Sequence, residues 1–321
     1  MTRPRALALR ALGLGDFLTG LPALRLVRQA LPGHEIVLAA PARFAPVVEL
    51  LPFVDGLFAA NELAPLSSHS GPVQLAIDLH GKGPASRGLL HELGPERLIG
   101  FAHRPSGLRG PAWLKDEHEV SRWCRLVAEG LGFPEDSWPS VAGCVPKPVA
   151  AMPDGMTVVH PGAASPSRRW PAERFAAVCR ELERDGHRVV ITGSDRERGL
   201  VLHTARACGA RPILGLSLLE LLALVSEARL VVSGDTGIAH VASNYRTPSV
   251  VLFGPVSPDL WGPPPSPLHR VLWHGDGNGD PHGPVVDPAL LDITVDEVLT
   301  EIALVERADL EPVPAAKGCL G

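Results

Sequence analysis

The stretch Leu230-Val231-Val232-Ser233-Gly234-Asp235-Thr236-Gly237-Ile238-Ala239-His240 constrains this chain more than any other. An apolar, β-branched run stops abruptly at small residues, and a helix-compatible segment, 238–242, follows at once. The pattern predicts a strand feeding a glycine-rich turn into a helix. Such a turn directs free backbone N–H groups and the positive end of a helix dipole at one point. The natural guest there is an anion, usually a phosphate. Asp235, Thr236 and His240 add side chains suited to a ribose, a sugar hydroxyl or a phosphate oxygen. A plain βα turn capped by Asp235 or Thr236 would leave the same trace, so both readings stand.

The same alternation runs along the whole chain. In the first half, residues 5–9, 35–39 and 75–78 read as strands, and 17–30, 42–51, 85–93 and 117–130 as helices. Residues 145–155 then carry three prolines, which neither a helix nor a central strand accommodates, and mark an interdomain linker. Beyond it, 157–160, 188–191, 230–233 and 249–253 read as strands. Residues 171–184 and 196–208 read as helices, and a capping box, Ser217 to Glu220, opens another that runs to about 226. A proline- and glycine-rich loop spans 254–288, and a last helix covers 294–307 ahead of a frayed tail. Alternating β and α segments imply parallel sheets covered by helices. The expected architecture is α/β: two Rossmann-like domains, 1–150 and 151–321, facing across a cleft. Ligands in such folds sit at the carboxyl ends of the strands, so the loops after strands carry the information.

Composition narrows the function. Of 321 residues, 45% are hydrophobic and 20% charged, a globular balance with ample core. A net charge of −5 argues against a general nucleic-acid binder. The five cysteines (Cys124, Cys144, Cys179, Cys208, Cys319) are odd in number and form no C-x-x-C pair. That disfavours a disulfide framework or a structural zinc and fits a reducing cytoplasm. The N-terminal apolar stretch is interrupted by Arg10 and ended by Gly13, Gly15 and Asp16. It is too short for a signal segment or a membrane span. Peripheral attachment at the inner face of a membrane stays open.

Four loops follow predicted strands. In Leu12-Gly13-Leu14-Gly15-Asp16-Phe17-Leu18, a dinucleotide fingerprint would need glycine at 18, so NAD binding is disfavoured. Asp16 is then either a helix cap or a carboxylate offered to the cleft as a general base. In 160–171, Ser165, Ser167, Arg168 and Arg169 make a phosphate cradle or, alternatively, a solvated arginine pair. In 78–84, His80 and Lys82 either reach an anionic ligand or sit on a solvated loop. In 191–197, a strand-to-helix turn of the same design, the hydroxyls of Thr192 and Ser194 either touch a base or ribose or simply cap a helix. Asp276, Asn278, Asp280 and Asp287 mimic the spacing of a calcium loop, but Pro281 stands where glycine is needed and Asp287 where a bidentate glutamate is needed. No metal is expected there, and His269, His274 and His282 form no ligand spacing.

Three segments in order carry a family resemblance: Gly13-Leu14-Gly15-Asp16 with Leu21-Pro22-Ala23-Leu24; His160-Pro161-Gly162 with Arg168-Arg169-Trp170-Pro171; and Ser233-Gly234-Asp235-Thr236-Gly237 with His240. Together they resemble glycosyltransferase family 9, the ADP-heptose:lipopolysaccharide heptosyltransferase-like proteins, over roughly residues 6–305. The resemblance implies a GT-B fold with an acceptor domain first and a nucleotide-sugar donor domain second, the last helix returning toward the first. It implies an inverting transfer without metal or cofactor, from a nucleotide-diphosphate sugar to a cell-envelope or other glycan or lipid-linked acceptor. Asp16 matches the family's catalytic aspartate, and Arg168 falls where the family often has a phosphate-binding lysine. Ser165, Ser167, Gly193, Ser194, Asp235, Thr236, Gly237 and His240 are the expected donor contacts, and Gly15, His80 and Lys82 the expected acceptor contacts. Two departures bear on sugar and acceptor identity: Ala163-Ala164 replaces a usual threonine pair, and the loop near 265–285 lacks the cysteines common in the family. Two rival readings share the fold: a sugar-nucleotide epimerase, and a binding protein without catalysis.

Overall fold

The computed structural model describes residues 3–66, 72–134 and 138–310; the tail, with Cys319, lies outside the described residues. The first sheet is built from β1 (Arg5–Leu9), β2 (Glu35–Ala40), β3 (Gly56–Ala59), β4 (Leu75–Asp78) and β5 (Arg97–Ile99). Its helices are α1 (Leu14–Ala30), the short α2 (Ala45–Val48), α3 (Pro84–His91) and α4 (Glu119–Leu131). The second sheet comprises β6 (Thr157–His160), β7 (Val189–Thr192), β8 (Arg211–Ile213), β9 (Leu230–Gly234), β10 (Ser249–Phe253) and β11 (His269–Trp273). With it run α5 (Ala172–Arg184), α6 (Arg198–Cys208), α7 (Leu218–Ser226), α8 (Gly237–Tyr245), α9 (Pro258–Trp261), α10 (Pro288–Asp292) and α11 (Val295–Leu310).

Every strand pair is parallel, in the orders β3-β2-β1-β4-β5 and β11-β10-β9-β6-β7-β8. Both orders reverse direction beside the sheet's first strand, between β1 and β4 and between β6 and β9. These reversals open a crevice at the strands' carboxyl ends. The central strands are apolar without alternation because helices cover both faces: β9 and β10 are buried at every residue.

Four edge or near-edge strands escape a periodicity reading. β3, β5 and β8 are three or four residues long and half exposed, and β8 carries Pro212, which a strand paired on one side tolerates. β11 lies inside the stretch expected to be loop. The expected helix at 42–51 shrinks to a 3-10 turn, Ala42–Phe44, and α2.

One apolar core joins the two halves. Phe17, Leu21 and Leu24 of α1 share a cluster with Leu222 and Val225 of α7 and Ile238 and Val241 of α8. The proline-rich linker is pinned at its start: Asn244 of α8 accepts from Val145 N–H at 2.9 Å and donates to Val145 C=O at 3.0 Å. The last helix, expected to return to the N-terminal domain, instead buries Val298, Ile302 and Val305 in the core of the second sheet, packed on β10, β11 and α5. Its apolar stripe matches that sheet's outer face. Among the described residues no helix is long and apolar enough to cross a membrane.

Candidate active site between the two sheets

A cavity of about 870 Å³ lies where the carboxyl ends of the two sheets meet. Asp16 and Gly15 enter it from the first half, Arg168, Gly193, Ser194, Asp235, Thr236, Gly237 and His240 from the second.

Asp16 is held by the turn after β1. α1 starts at Leu14, earlier than the expected 17, because Gly13 serves as N-cap and the Asp16 carboxylate accepts its N–H at 3.3 Å. The side chain keeps 30% exposure toward the cavity. Capping and presentation to the cleft therefore coexist. Behind it lies Arg10, whose guanidinium sits 3.6 Å from Asp16 Oδ1.

On the opposite wall, β9 ends at Gly234 and α8 begins at Gly237. Thr236 is the N-cap residue but makes no side-chain cap. The Thr236 carbonyl takes the Ala239 N–H at 3.0 Å, and the Gly237 and Ile238 N–H groups at the helix start are the ones suited to an anion in the cavity. Arg168, on the 3-10 turn Pro166–Arg168 after β6, reaches across the β6–β9 reversal. Its Nη1 donates to the Asp235 carbonyl at 3.3 Å and lies 3.6 Å from Asp235 Oδ2. Its Nε is buried without a hydrogen-bond partner. Arg169 turns away and ties the loop, donating to Ala163 C=O at 2.9 Å.

Asp235 is only 7% exposed. Burial pushes its carboxyl above the ordinary range, Arg168 opposes that, and Asp16 across the cavity adds to it. His240 is 6% exposed, and its imidazole is pushed down to about 4, first by burial. It is a neutral ring at working pH, edge-on to Trp261 at 6.1 Å.

The two halves touch beside the cavity. A Cβ on Gly237 would lie 2.9 Å from Leu14 Cβ, so only glycine lets α8 approach α1 this closely.

Other expected contacts fall outside the cavity lining. Ser167 is buried, its backbone clasping Gly283 C=O and Asp287 N–H, both at 3.2 Å. The Ser165 carbonyl accepts from Arg168 N–H at 3.1 Å. His80 Nδ1 accepts from Ala11 N–H at 3.2 Å. Burial and then Arg10 push that imidazole down, against Asp16 and Glu62. The Lys82 ammonium rests 5.7 Å above the Trp113 ring. Ser194 lines the cavity but gives its N–H and Oγ–H to Glu197, at 2.8 and 2.7 Å.

Thr192, whose hydroxyl the sequence offered to a base or ribose, lines the cavity, and sequence reading missed other lining residues as site candidates: Arg43, His160, Glu197, Leu216, Ser217, Leu218, Leu221, Trp261 and His282. Most follow carboxyl strand ends, which is the signal that pointed to the others. His282 had no such signal. Its loop reaches the cavity because Ser167 pairs with Gly283. The acidic residues of that loop serve turns: Asp276, Asp280 and Asp287 accept from the N–H groups of Asn278, His282 and Ala289, at 2.9, 2.9 and 3.0 Å. Among the described residues no group of three or more His, Cys, Asp or Glu could hold a metal ion.

Comparison with known proteins identifies the family and the fold. The family model for glycosyltransferase family 9 (heptosyltransferase) matches residues 111–279, rather more than half of the chain. Lipopolysaccharide heptosyltransferase 2 of Escherichia coli K12 is 34% identical over 155 residues, 44% of this chain and 44% of that protein's length. The chain thus spans less than half of this relative in the match. Among solved structures, E. coli ADP-heptose lps heptosyltransferase II superposes with a TM-score of 0.77 at 22% identity, over 95% of this chain and 99% of that one. An E. coli heptosyltransferase with ADP-2-deoxy-2-fluoro heptose gives a TM-score of 0.70 at 20% identity, over 93% and 99%. The fold is GT-B.

Proposed function

This chain belongs to glycosyltransferase family 9, and from that membership we propose that it moves a sugar from a nucleotide-diphosphate sugar to a glycan or lipid-linked acceptor of the cell envelope. The observation that carries the proposal is one cavity walled by Asp16 on one side and by Arg168 with the open N-terminus of α8 on the other.

The chemistry follows from those groups. Charge builds on a nucleoside diphosphate as its glycosidic bond breaks, and fixed donors must meet it. Arg168 offers a guanidinium that binds phosphate through two N–H groups, and Gly237 and Ile238 offer first-turn amides. Asp235 and the neutral His240 face the sugar. On the opposite wall Asp16 takes the proton from the acceptor hydroxyl as its oxygen attacks the anomeric carbon. Attack from the side opposite the leaving group inverts that carbon, and nothing in these steps requires a metal or a cofactor. Domains 1–150 and 151–321 then hold acceptor and donor respectively. ADP-heptose is the first donor to try, since a structural relative was solved with an ADP-heptose analogue. A cytoplasmic setting suits an activated nucleotide substrate and the free thiols of Cys124, Cys144, Cys179 and Cys208.

Labelled ADP-heptose and other nucleotide sugars, incubated with and without cell-envelope acceptor, test the proposal. Transfer should require the acceptor and vanish in Asp16→Ala, while donor binding persists. Conversion of the donor with no acceptor would support an epimerase instead, and donor binding with neither product would support a binding protein.

A further inference from the structure

Arg10 is 1% exposed, yet it is a full cation placed directly behind the carboxylate just assigned as base. Strand β1 ends one residue before it, so its side chain turns under α1. Its guanidinium donates to the Asp16 and Leu79 carbonyls and, at 3.1 Å each, to Thr19 Oγ1 and Glu119 Oε1. The plane stacks 4.7 Å from the Trp123 ring centre. The chain reserves space for it: a Cβ on Gly20, one turn along α1, would collide with Arg10 Cδ and Nε.

The same Nη2 faces two carboxylates, Glu119 Oε1 at 3.1 Å and Asp16 Oδ1 at 3.6 Å. Glu119 is buried and has its own further partners, the Arg122 guanidinium and Trp123 Nε1–H, the latter at 2.7 Å. Burial pushes the Glu119 carboxyl up, but Arg10, Arg122 and the indole N–H outweigh it and hold the group ionised. A permanently negative Glu119 therefore takes up part of the Arg10 charge that would otherwise fall on Asp16.

Resting on the transferase reading, we propose that Arg10 is a positioning residue that fixes Asp16 toward the cavity, and that Glu119, by sharing Arg10, sets how basic Asp16 is. Without Arg10 the Asp16 carbonyl and carboxylate lose their common anchor. Without the Glu119 charge, Arg10 would bind Asp16 more strongly and blunt it as a base. The other groups facing Asp16 are His80 from the loop after β4, Asp235 and His240 from the α8 wall, and Arg43 from the turn after β2. None of them bridges to it as Arg10 does.

The test compares Glu119→Gln and Arg10→Met with the parent protein in two readouts. One is kcat against pH with ADP-heptose and acceptor extract. The other is the titration of the Asp16 carboxyl by carbon NMR on aspartate-labelled protein, assigned by its loss in Asp16→Asn. Glu119→Gln should move the acid limb and the NMR midpoint down by about one pH unit, and Arg10→Met should move both up by about as much. Arg10→Met should also lower kcat at least ten-fold while donor KM stays within about two-fold. Midpoints that stay in place in both variants overturn the proposal, as does a donor KM that moves as far as kcat. The near-isosteric Glu119→Gln carries the test if Arg10→Met does not fold. The NMR arm needs no turnover, so a failed transferase reading and a failed Arg10 reading give different results.

Discussion

Gly15 of α1 and His240 of α8 are in contact across the seam between the two sheets. A Cβ built on Gly15 would lie 2.9 Å from His240 Cδ2 and 3.3 Å from its Nε2. Gly15→Ala must push the imidazole, and with it the start of α8, away from α1. The expected cost is about 1–3 kcal/mol of stability, read as a lower Tm. Transfer should fall at least ten-fold because the neighbouring Asp16 shifts with the turn. A variant with parental Tm and kcat would mean that the ring simply swings aside.

Arg168 lines the cavity, its guanidinium held beside Asp235. Arg168→Ala should weaken ADP binding by about 10–100-fold, the range expected for lost hydrogen bonds to a charged group. Arg168→Lys should recover part of this, since a point charge replaces a fork. Titration calorimetry with ADP checks both, and unaltered affinity in the alanine variant would remove Arg168 from the donor site.

Asn244 satisfies both backbone groups of buried Val145. Asn244→Ala leaves an N–H and a C=O unpaired and should cost about 2 kcal/mol or more. The midpoint of urea unfolding reports it. Because the linker's first residue is released, proteolysis within 146–155 should accelerate.

His269 is buried against Ser249 Oγ, 2.9 Å from its Nδ1. Burial, and then Arg246, push its imidazole from 6.5 down to about 4. Between those two values the unfolded chain binds a proton that the native ring refuses. Stability contributed by the neutral ring is whole above about pH 6.5 and is lost as pH falls toward 4, by up to about 3 kcal/mol. Urea midpoints at pH 7 and pH 5 should therefore differ less in His269→Asn than in the parent. An equal difference in both proteins would show that the ring titrates normally.

Much of the architecture is legible in the sequence because central parallel strands must be apolar on both faces. β1, β4, β6, β9 and β10 announce themselves as unbroken runs between turn residues. Edge strands carry no such mark: β8 begins Arg211-Pro212 and is half exposed. Asp16, Arg168 and the 234–237 turn are readable because each follows a strand and precedes a helix. Arg10 and Glu119 stand 109 positions apart, and no local pattern signals their pairing. The path of α11 also escapes a local reading, because an amphipathic stripe shows which side of a helix is apolar but not which neighbour will cover it.

The core shared by α1, α7 and α8 has a consequence for engineering. A donor half taken from a relative cannot be exchanged as a cassette on the strength of its nucleotide-binding loops alone. Phe17, Leu21 and Leu24 would meet a foreign surface in place of Leu222, Ile238 and Val241. A graft with matching loops and mismatched seam residues would fail by aggregation before its specificity could be assayed, so chimaeras need the seam transplanted with the site.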